Sequence, residues 1–295
     1  IPPKLQINAE NQIKKLLIEE LSSHNLSYKD IDVFSTPTRI AIYIFGLPSK
    51  IKVLPSEVKG PKLGVPQKIV ENFAKSKNIN TNDLFEKKLD KGTFYFAKLK
   101  GKEIDTESEL TKIIPKTLNA ISWNKSMKWS NYDLSWGRPL RSILAIFDKK
   151  ILKFKYAHLN SVNYTIIEEE TEIKEKKLSN FKDYLRILNQ NEIILDQNQR
   201  EKFISEKIKS FCKNKSCLEL IDEFLLKEVT NLVDKPRIIL AKFDKEYLKL
   251  PQEIIKSTLQ THQRYFTLTD NKGELINEFI IVTNKKDTKN LIKQG

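Results

Sequence analysis

Apolar positions along the chain recur in two rhythms. Ile13, Leu16, Leu17 and Leu21, with Glu20 beside them, keep a helical spacing and predict a helix over 9–23. Asp32 to Phe34 and Arg39 to Leu47 predict strands separated by Ser35-Thr36-Pro37-Thr38. Pro66 to Lys75 suits a short helix that stops near Asn78. Gly92 to Leu99 predicts a strand, and Lys100-Gly101-Lys102 a turn that folds it into a hairpin. Thr106 with Glu109 has the spacing of a capping box, opening a helix to about Asn119 in which Pro115 introduces a bend. Arg141 to Phe147 and Ile151 to Tyr156 predict a second hairpin around Asp148-Lys149-Lys150.

Beyond about residue 160 the pattern changes. Residues 166–178 are acidic and basic with few apolar positions, as in a linker or an exposed strand pair. Two helices follow, capped by Ser179 and Asp196, the second with Ile204, Ile208 and Phe211 on one face. A third is expected over about 218–231, with Leu218, Ile221, Leu225, Val229 and Leu232 aligned. Strand 237–241 comes next, then a helix from Pro251 at its first position to Thr261. Strands 264–269 and 278–283 flank the turn Asn271-Lys272-Gly273. The whole reads as α+β, in several modules of mixed helices and mainly antiparallel sheets. Residues 1–160 form a first module or modules, and 161–295 a second α+β module.

Composition narrows the classes. The 295 residues allow one large domain or two of ordinary size, and 39% hydrophobic residues supply real cores. No window approaches the roughly 18 uninterrupted apolar residues of a membrane span. No secretion signal opens the chain, so a cytoplasmic location is expected. The start at Ile1-Pro2-Pro3 without an initiator Met reads as a trimmed fragment. The net charge of +14 suits a polyanionic partner. Much of that excess is lysine, however, scattered among glutamates as in Glu172-Ile173-Lys174-Glu175-Lys176-Lys177, which is equally the pattern of a solvated face. Cys212 and Cys217 are too few for a disulfide scaffold and have no zinc partners nearby, so they read as free thiols.

Catalytic signatures are missing. No Walker, dinucleotide-binding, zinc-protease or nucleophile-elbow pattern occurs, eight glycines leave little material for phosphate loops, and His24, His158 and His262 are far apart. Neither a catalytic residue nor a metal ligand is therefore assigned. Binding signals are stronger. Trp123-Asn124-Lys125-Ser126-Met127-Lys128-Trp129 interleaves cations with aromatic rings, and Trp136-Gly137-Arg138-Pro139-Leu140-Arg141 follows. Cation plus ring is the combination that neutralises phosphate and stacks on bases. The alternative is that the tryptophans are core and the lysines reach past them to solvent. Arg39 enters a strand after a turn, where it pins a phosphate or pairs with an acid. His262-Gln263-Arg264-Tyr265-Phe266 is a polar-aromatic cluster at a helix-to-strand junction, either a site or a structural network.

The stretch Leu225 to Pro236, with Phe243-Asp244-Lys245-Glu246-Tyr247-Leu248, Leu250-Pro251-Gln252-Glu253 and His262 to Phe266, resembles bacterial glycyl-tRNA synthetase beta subunits in their N-terminal part. Pro2-Pro3-Lys4-Leu5, Thr36 to Ala41, Lys59-Gly60-Pro61, Met127-Lys128-Trp129 and Arg138-Pro139 resemble that family's earlier signatures, and Tyr184, Asp196 and Arg200 its middle. The resemblance implies a class II ligase made by two genes. In it an alpha subunit holds ATP, magnesium and glycine, and this chain, with no cofactor of its own, binds and positions tRNA(Gly) in an alpha2beta2 heterotetramer. It also implies modules similar to those of phenylalanyl-tRNA synthetase beta chains. Arg39, Lys125, Lys128, Arg138, Arg141 and Arg264 become candidate RNA-binding cations, and Trp129, His262 and Tyr265 candidate stacking or packing partners. The alternatives are a non-catalytic scaffold for a partner subunit and an editing-like module. The chain departs from the family in four places. Ile166-Ile167-Glu168-Glu169 stands where a Gly-His-Arg-Phe signature is expected, a short stretch is missing between Lys62 and Gly64, and Lys235 replaces Trp before Pro236. HD-like and anticodon-binding-like regions, which the resemblance implies, are expected to be absent after Gly295.

Overall fold

A computed structural model describes residues 1–53, 55–99, 101–168, 172–215, 217–219 and 222–285. Helix α1 (Pro3–Ser23) begins earlier than its apolar pattern suggests. Its buried stripe Leu5, Ala9, Ile13, Leu17 and Leu21 is joined by Gln6, a polar residue whose amide nitrogen donates to the Asn231 carbonyl. Strands β1 (Asp30–Ser35) and β2 (Ile40–Phe45) pair antiparallel around the expected turn, with Ser35 opposite Ile40.

The next segment departs from the pattern. Strand β3 (Lys50–Val53) precedes β4 (Ser56–Lys62), α2 (Gln67–Ser76), β5 (Leu84–Leu89), β6 (Gly92–Leu99) and β7 (Lys102–Asp105). The hairpin expected around 100–102 does not form. Strand β6 is central in the sheet β4-β6-β5, so both its edges are occupied and β7 pairs with the distant β3 instead. The true hairpin is β5–β6, with Gly92 at φ +117° behind its turn, a conformation open to glycine. Helix α3 (Thr106–Ala120) contains Pro115, and its N-cap is Asp105, whose carboxylate accepts from Ser108 N at 2.9 Å. The capping role expected of Thr106 therefore falls one residue earlier, and the Thr106 hydroxyl is buried.

Strand β8 (Ile143–Leu144) pairs parallel with β12 (Leu159–Val162), and β11 (Lys155–Tyr156) pairs antiparallel with β12. Strands β9 (Ile146–Phe147) and β10 (Lys150–Ile151) make the expected hairpin in shorter form. Asp148 and Lys149 are both left-handed, at φ 45° and 64°, as a two-residue turn of the right twist requires. Strands β13 (Tyr164–Glu168) and β14 (Ile173–Lys177) show that the charged stretch is a strand pair.

Helix α4 (Phe181–Gln190) is capped by Asn180 rather than Ser179, which instead bonds the Asp183 carboxylate. Asp196 caps α5 (Gln197–Lys215) through Gln199 N, and Ile204 and Ile208 on it are fully buried. The helix expected from 218 starts only at α6 (Glu223–Thr230), with Asp222 as its cap. Leu218 belongs to β15 (Leu218–Glu219), Leu232 is exposed, and Ile221 lies outside the described residues. After β16 (Arg237–Lys242), Pro251 is the N-cap of α7 (Gln252–Lys256), which widens into a π turn over Ser257–His262. Arg264 is left-handed at φ 59° and cannot continue a strand, so β17 (Phe266–Thr269) starts two residues later than expected. Strand β18 (Leu275–Thr283) completes the antiparallel sheet β15-β17-β18-β16.

Burial follows these elements. One cluster joins α1 and α3 to Trp136, Leu152 and Tyr156. A second packs α5 and α6, with the buried Cys212 and Cys217, on Phe266, Leu268 and Ile280 of the C-terminal sheet. The opposite face of that sheet holds Ile239, Phe279 and Ile281 against Tyr265 and Leu259. A fourth cluster joins Ala41 and Leu144 to Ile167, Tyr184 and Leu188. No described helix is long and apolar enough to cross a membrane.

Candidate nucleic-acid interface

The segment from Trp123 to Arg141 is folded by an isolated β-bridge. Met127 and Trp136 exchange both backbone hydrogen bonds, at 2.9 and 3.1 Å. Its rings point inward. Trp136 is 4% exposed, Trp123 packs against it at 5.0 Å, and a side chain on Gly137 would come within 2.7 Å of the Trp123 ring. Trp129 is half-buried on the same core with its edge to His158, and His158 stacks on Tyr132 at 3.7 Å. The aromatic half of the motif is therefore packing. The cationic half faces outward: Lys125, Lys128, Arg138 and Arg141 are all exposed. Lys128 lies 3.8 Å from Asp133, Arg138 points toward the Met127 sulfur, and Arg141 is ion-paired with Glu168.

An open depression of about 490 Å³ lies behind this loop, with Leu118, Trp123, Trp136 and Tyr156 as its apolar walls and Asp133 and Lys155 at its polar side. Burial raises the Tyr156 phenol above its ordinary pKa, so it is neutral there.

Arg39 serves a different structure. Its guanidinium donates to the Thr165 hydroxyl and the Ile166 carbonyl, both at 3.3 Å, and so fastens β2 to β13. The turn before it is a junction between distant parts of the chain. Thr36 Oγ1 accepts from the amides of Thr38 and Arg39, and Thr38 donates its hydroxyl to the Asp234 carboxylate at 2.6 Å. Gln6 donates to the Asn231 carbonyl at 2.7 Å. At the centre is Arg200, fully buried on α5. Its Nε donates to Thr230 O at 2.8 Å, Nη1 to Ile194 O and Leu195 O at 2.7 and 3.1 Å, and Nη2 to Ser35 O at 3.4 Å. Desolvation lowers the Arg200 pKa and raises that of Glu10, which accepts from the Ser35 hydroxyl. The sequence reading placed Arg200 only in a family signature. Its position four residues before Ile204 and eight before Ile208 already aligns it with the apolar stripe of α5.

His262, Arg264 and Tyr265 sit on the C-terminal module. His262 ends the π turn and is exposed. Arg264 is paired with Glu228 at 2.7 Å, and Tyr265 is stacked on Phe279 with centroids 5.1 Å apart. The candidate cations thus divide. Lys125, Lys128 and Arg138 cluster on one loop, Arg39 and Arg141 both hold β13, and Arg264 holds α6. Of the family signature's place after Thr165, residues 166–168 lie in β13 and 169–171 lie outside the described residues. Among the described residues no three His, Cys, Asp or Glu side chains gather as a metal site would need.

Comparison with known proteins fits this arrangement to one family. A family model described as glycyl-tRNA synthetase beta subunit matches residues 1–295. The glycine–tRNA ligase beta subunit of Rickettsia prowazekii (strain Madrid E) is 34% identical over 284 residues, covering 96% of this chain and 43% of that protein. The same-named subunits of Rickettsia conorii (strain ATCC VR-613 / Malish 7) and Rickettsia typhi (strain ATCC VR-144 / Wilmington) are 32% and 33% identical over 296 residues, covering all of this chain and 44% of theirs. The chain therefore spans less than half the length of these relatives.

Proposed function

The chain belongs to the glycyl-tRNA synthetase beta subunit family, and on that premise we propose that it grips tRNA(Gly) while an alpha subunit carries out ATP-dependent glycylation. In this reading it works in the cytoplasm within an alpha2beta2 assembly. ATP, magnesium and glycine act on the alpha subunit, and this chain's residues position the RNA.

The observation that supports the reading is the bridged loop at Trp123–Arg141. The buried Trp136 and the half-buried Trp123 and Trp129 fix its backbone, and Lys125, Lys128 and Arg138 are presented to solvent on it. Rigid presentation matters because a cation held in place loses less conformational freedom when it meets a phosphate. Contacts of this kind release counterions, so affinity falls with salt by about 0.9 in log slope per duplex phosphate. Filter binding of tRNA across a salt series is the test. Changing Lys125, Lys128 and Arg138 together to Gln should lower the slope by about 2–3. An unchanged slope defeats the role of this loop.

A scaffold reading has one observation in its favour. Arg39, Arg141, Arg264 and Tyr265 are all engaged within the chain. Size-exclusion chromatography with purified alpha subunit separates the two readings. Association that is indifferent to tRNA, together with no tRNA binding by the chain alone, selects the scaffold.

A further inference from the structure

The sheet β4-β6-β5 has two unlike faces. Register places Val58, Ala97 and Leu84 on one of them. Helix α2 covers that side. Val70, Ala74 and Ala97 are buried, and a side chain at Gly60, which shares the face with Val58, would lie 2.5 Å from the Phe73 ring.

The same registers put Phe85, Phe94 and Phe96 together on the opposite face. Among the described residues, β4 packs mainly on β6 and α2, and β5 mainly on β6. Phe85 and Phe94 are half-buried and Phe96 is 8% exposed. What lies over the rings is lysine. Lys59 Nζ sits 3.6 Å from the Phe94 centroid and Lys87 Nζ 5.5 Å from that of Phe96. Lys62 and Lys98 share the face, and one carboxylate, Glu57, is paired with Lys87 at 2.9 Å.

We propose that this phenylalanine-lysine face is a second RNA-contacting surface, which takes an unpaired, single-stranded stretch. This rests on the tRNA-binding reading above and adds a place and a kind of RNA to it. Phe94 on β6 and Phe85 on β5, both half-buried beside the buried Phe96, offer neighbouring stacking platforms, and stacking tolerates any base. Four lysines against one glutamate supply the complementary charge for a phosphate backbone. The cation–π contacts are the resting state. A phosphate draws the ammonium of Lys59 off Phe94, and a base takes its place on the ring. Double-stranded RNA fits poorly, since its bases are already stacked on one another. The opposite face, filled by α2, offers no such platform.

The experiment is fluorescence anisotropy with labelled oligoadenylate and the 295-residue chain, across salt, with circular dichroism melting of every variant. Phe94→Leu keeps the apolar bulk and removes the π face, and it should weaken binding about tenfold. Lys59→Gln with Lys87→Gln leaves the rings in place and should lower the salt slope by about 1.4. Lys88→Gln removes one lysine charge from the opposite face and should change the slope little. Equal affinity of wild type and Phe94→Leu overturns the proposal, as does an equal effect of Lys88→Gln. Poly-glutamate competing as well as RNA also overturns it, since an acidic protein would then be the better occupant. If the wild type ignores oligoadenylate the surface is not an RNA site. Folded tRNA in the same assay then judges the broader reading separately, since its binding there leaves that reading standing.

Discussion

Replacing Arg200 by Met tests the junction at which the end of β1, the segment before α5 and the end of α6 meet. The guanidinium is fully buried and holds carbonyls from three separate places in the chain, Ser35, Ile194 with Leu195, and Thr230. Three of its bonds are at or below 3.1 Å. Hydrogen bonds from a charged donor contribute about 1.5–3 kcal/mol each, so the gross loss is roughly 5–9 kcal/mol. Met fills similar space and removes the cost of keeping a cation out of water, which returns several kcal/mol. The net destabilisation should be about 3–5 kcal/mol, as for other broken buried charges. With a denaturant dependence near 3 kcal/mol per molar, that shifts the urea midpoint down by about 1 M or more. All three tryptophans lie between residues 123 and 136, so their fluorescence follows the N-terminal cluster while far-ultraviolet circular dichroism follows the whole chain. Loss of the junction should also separate those two transitions. Arg200→Lys keeps the charge but not the fork and should fall between. A midpoint shift under about 0.3 M for Met, or a Lys variant equal to wild type, would refute this account.

Glu10 carries a carboxyl whose folded pKa lies above the ordinary value of 4.5, chiefly through burial. Below that ordinary value both states hold the proton. As pH rises from there through the folded pKa, the unfolded chain releases its proton first and this group's contribution to stability declines. Glu10→Gln, which can still accept from Ser35, should abolish that decline and raise the melting temperature at pH 7; an unchanged pH profile counts against it. Gly60→Ala forces the Phe73 ring aside from a 2.5 Å approach and should cost about 1–3 kcal/mol in urea unfolding. Thr38→Val removes the 2.6 Å donor from the buried Asp234 carboxylate and should cost about 1.5–3 kcal/mol in the same assay.

Elements whose stability comes from their own repeating pattern were legible in the sequence. The α1 stripe, the Ile204–Ile208 face of α5 and the β1–β2 pair follow from local periodicity, while the charged stretch at 166–178 leaves a linker and a strand pair both open, and the structure shows the pair. What failed depends on competition between distant segments. Strand β7 could not be assigned to β3 without knowing that β6 was already paired on both edges. Leu218 looked helical by spacing, yet its strand partner Thr269 lies far along the chain. Caps moved by one residue because Asp105 and Asn180 bonded the helix amides in place of Thr106 and Ser179. At the candidate site the mixed motif around Trp123 was visible, but not its division into inward rings and outward cations. Arg39 and Arg264 showed as cations while their partners Thr165 and Glu228 did not, since nothing local links them.

Among the described residues strand β14 has only β13 as its neighbour, so its outer margin carries backbone donors and acceptors that another extended polypeptide would be able to match. Ile173 at its head is 65% exposed, and then come Lys174-Glu175-Lys176-Lys177. A second copy laid alongside would have to crowd ammonium groups against ammonium groups and strip them of water. The lysines that look like mere solubilising decoration thus act as a fence against stacking into fibres. Acetylation of those three side chains would be expected to open the gate.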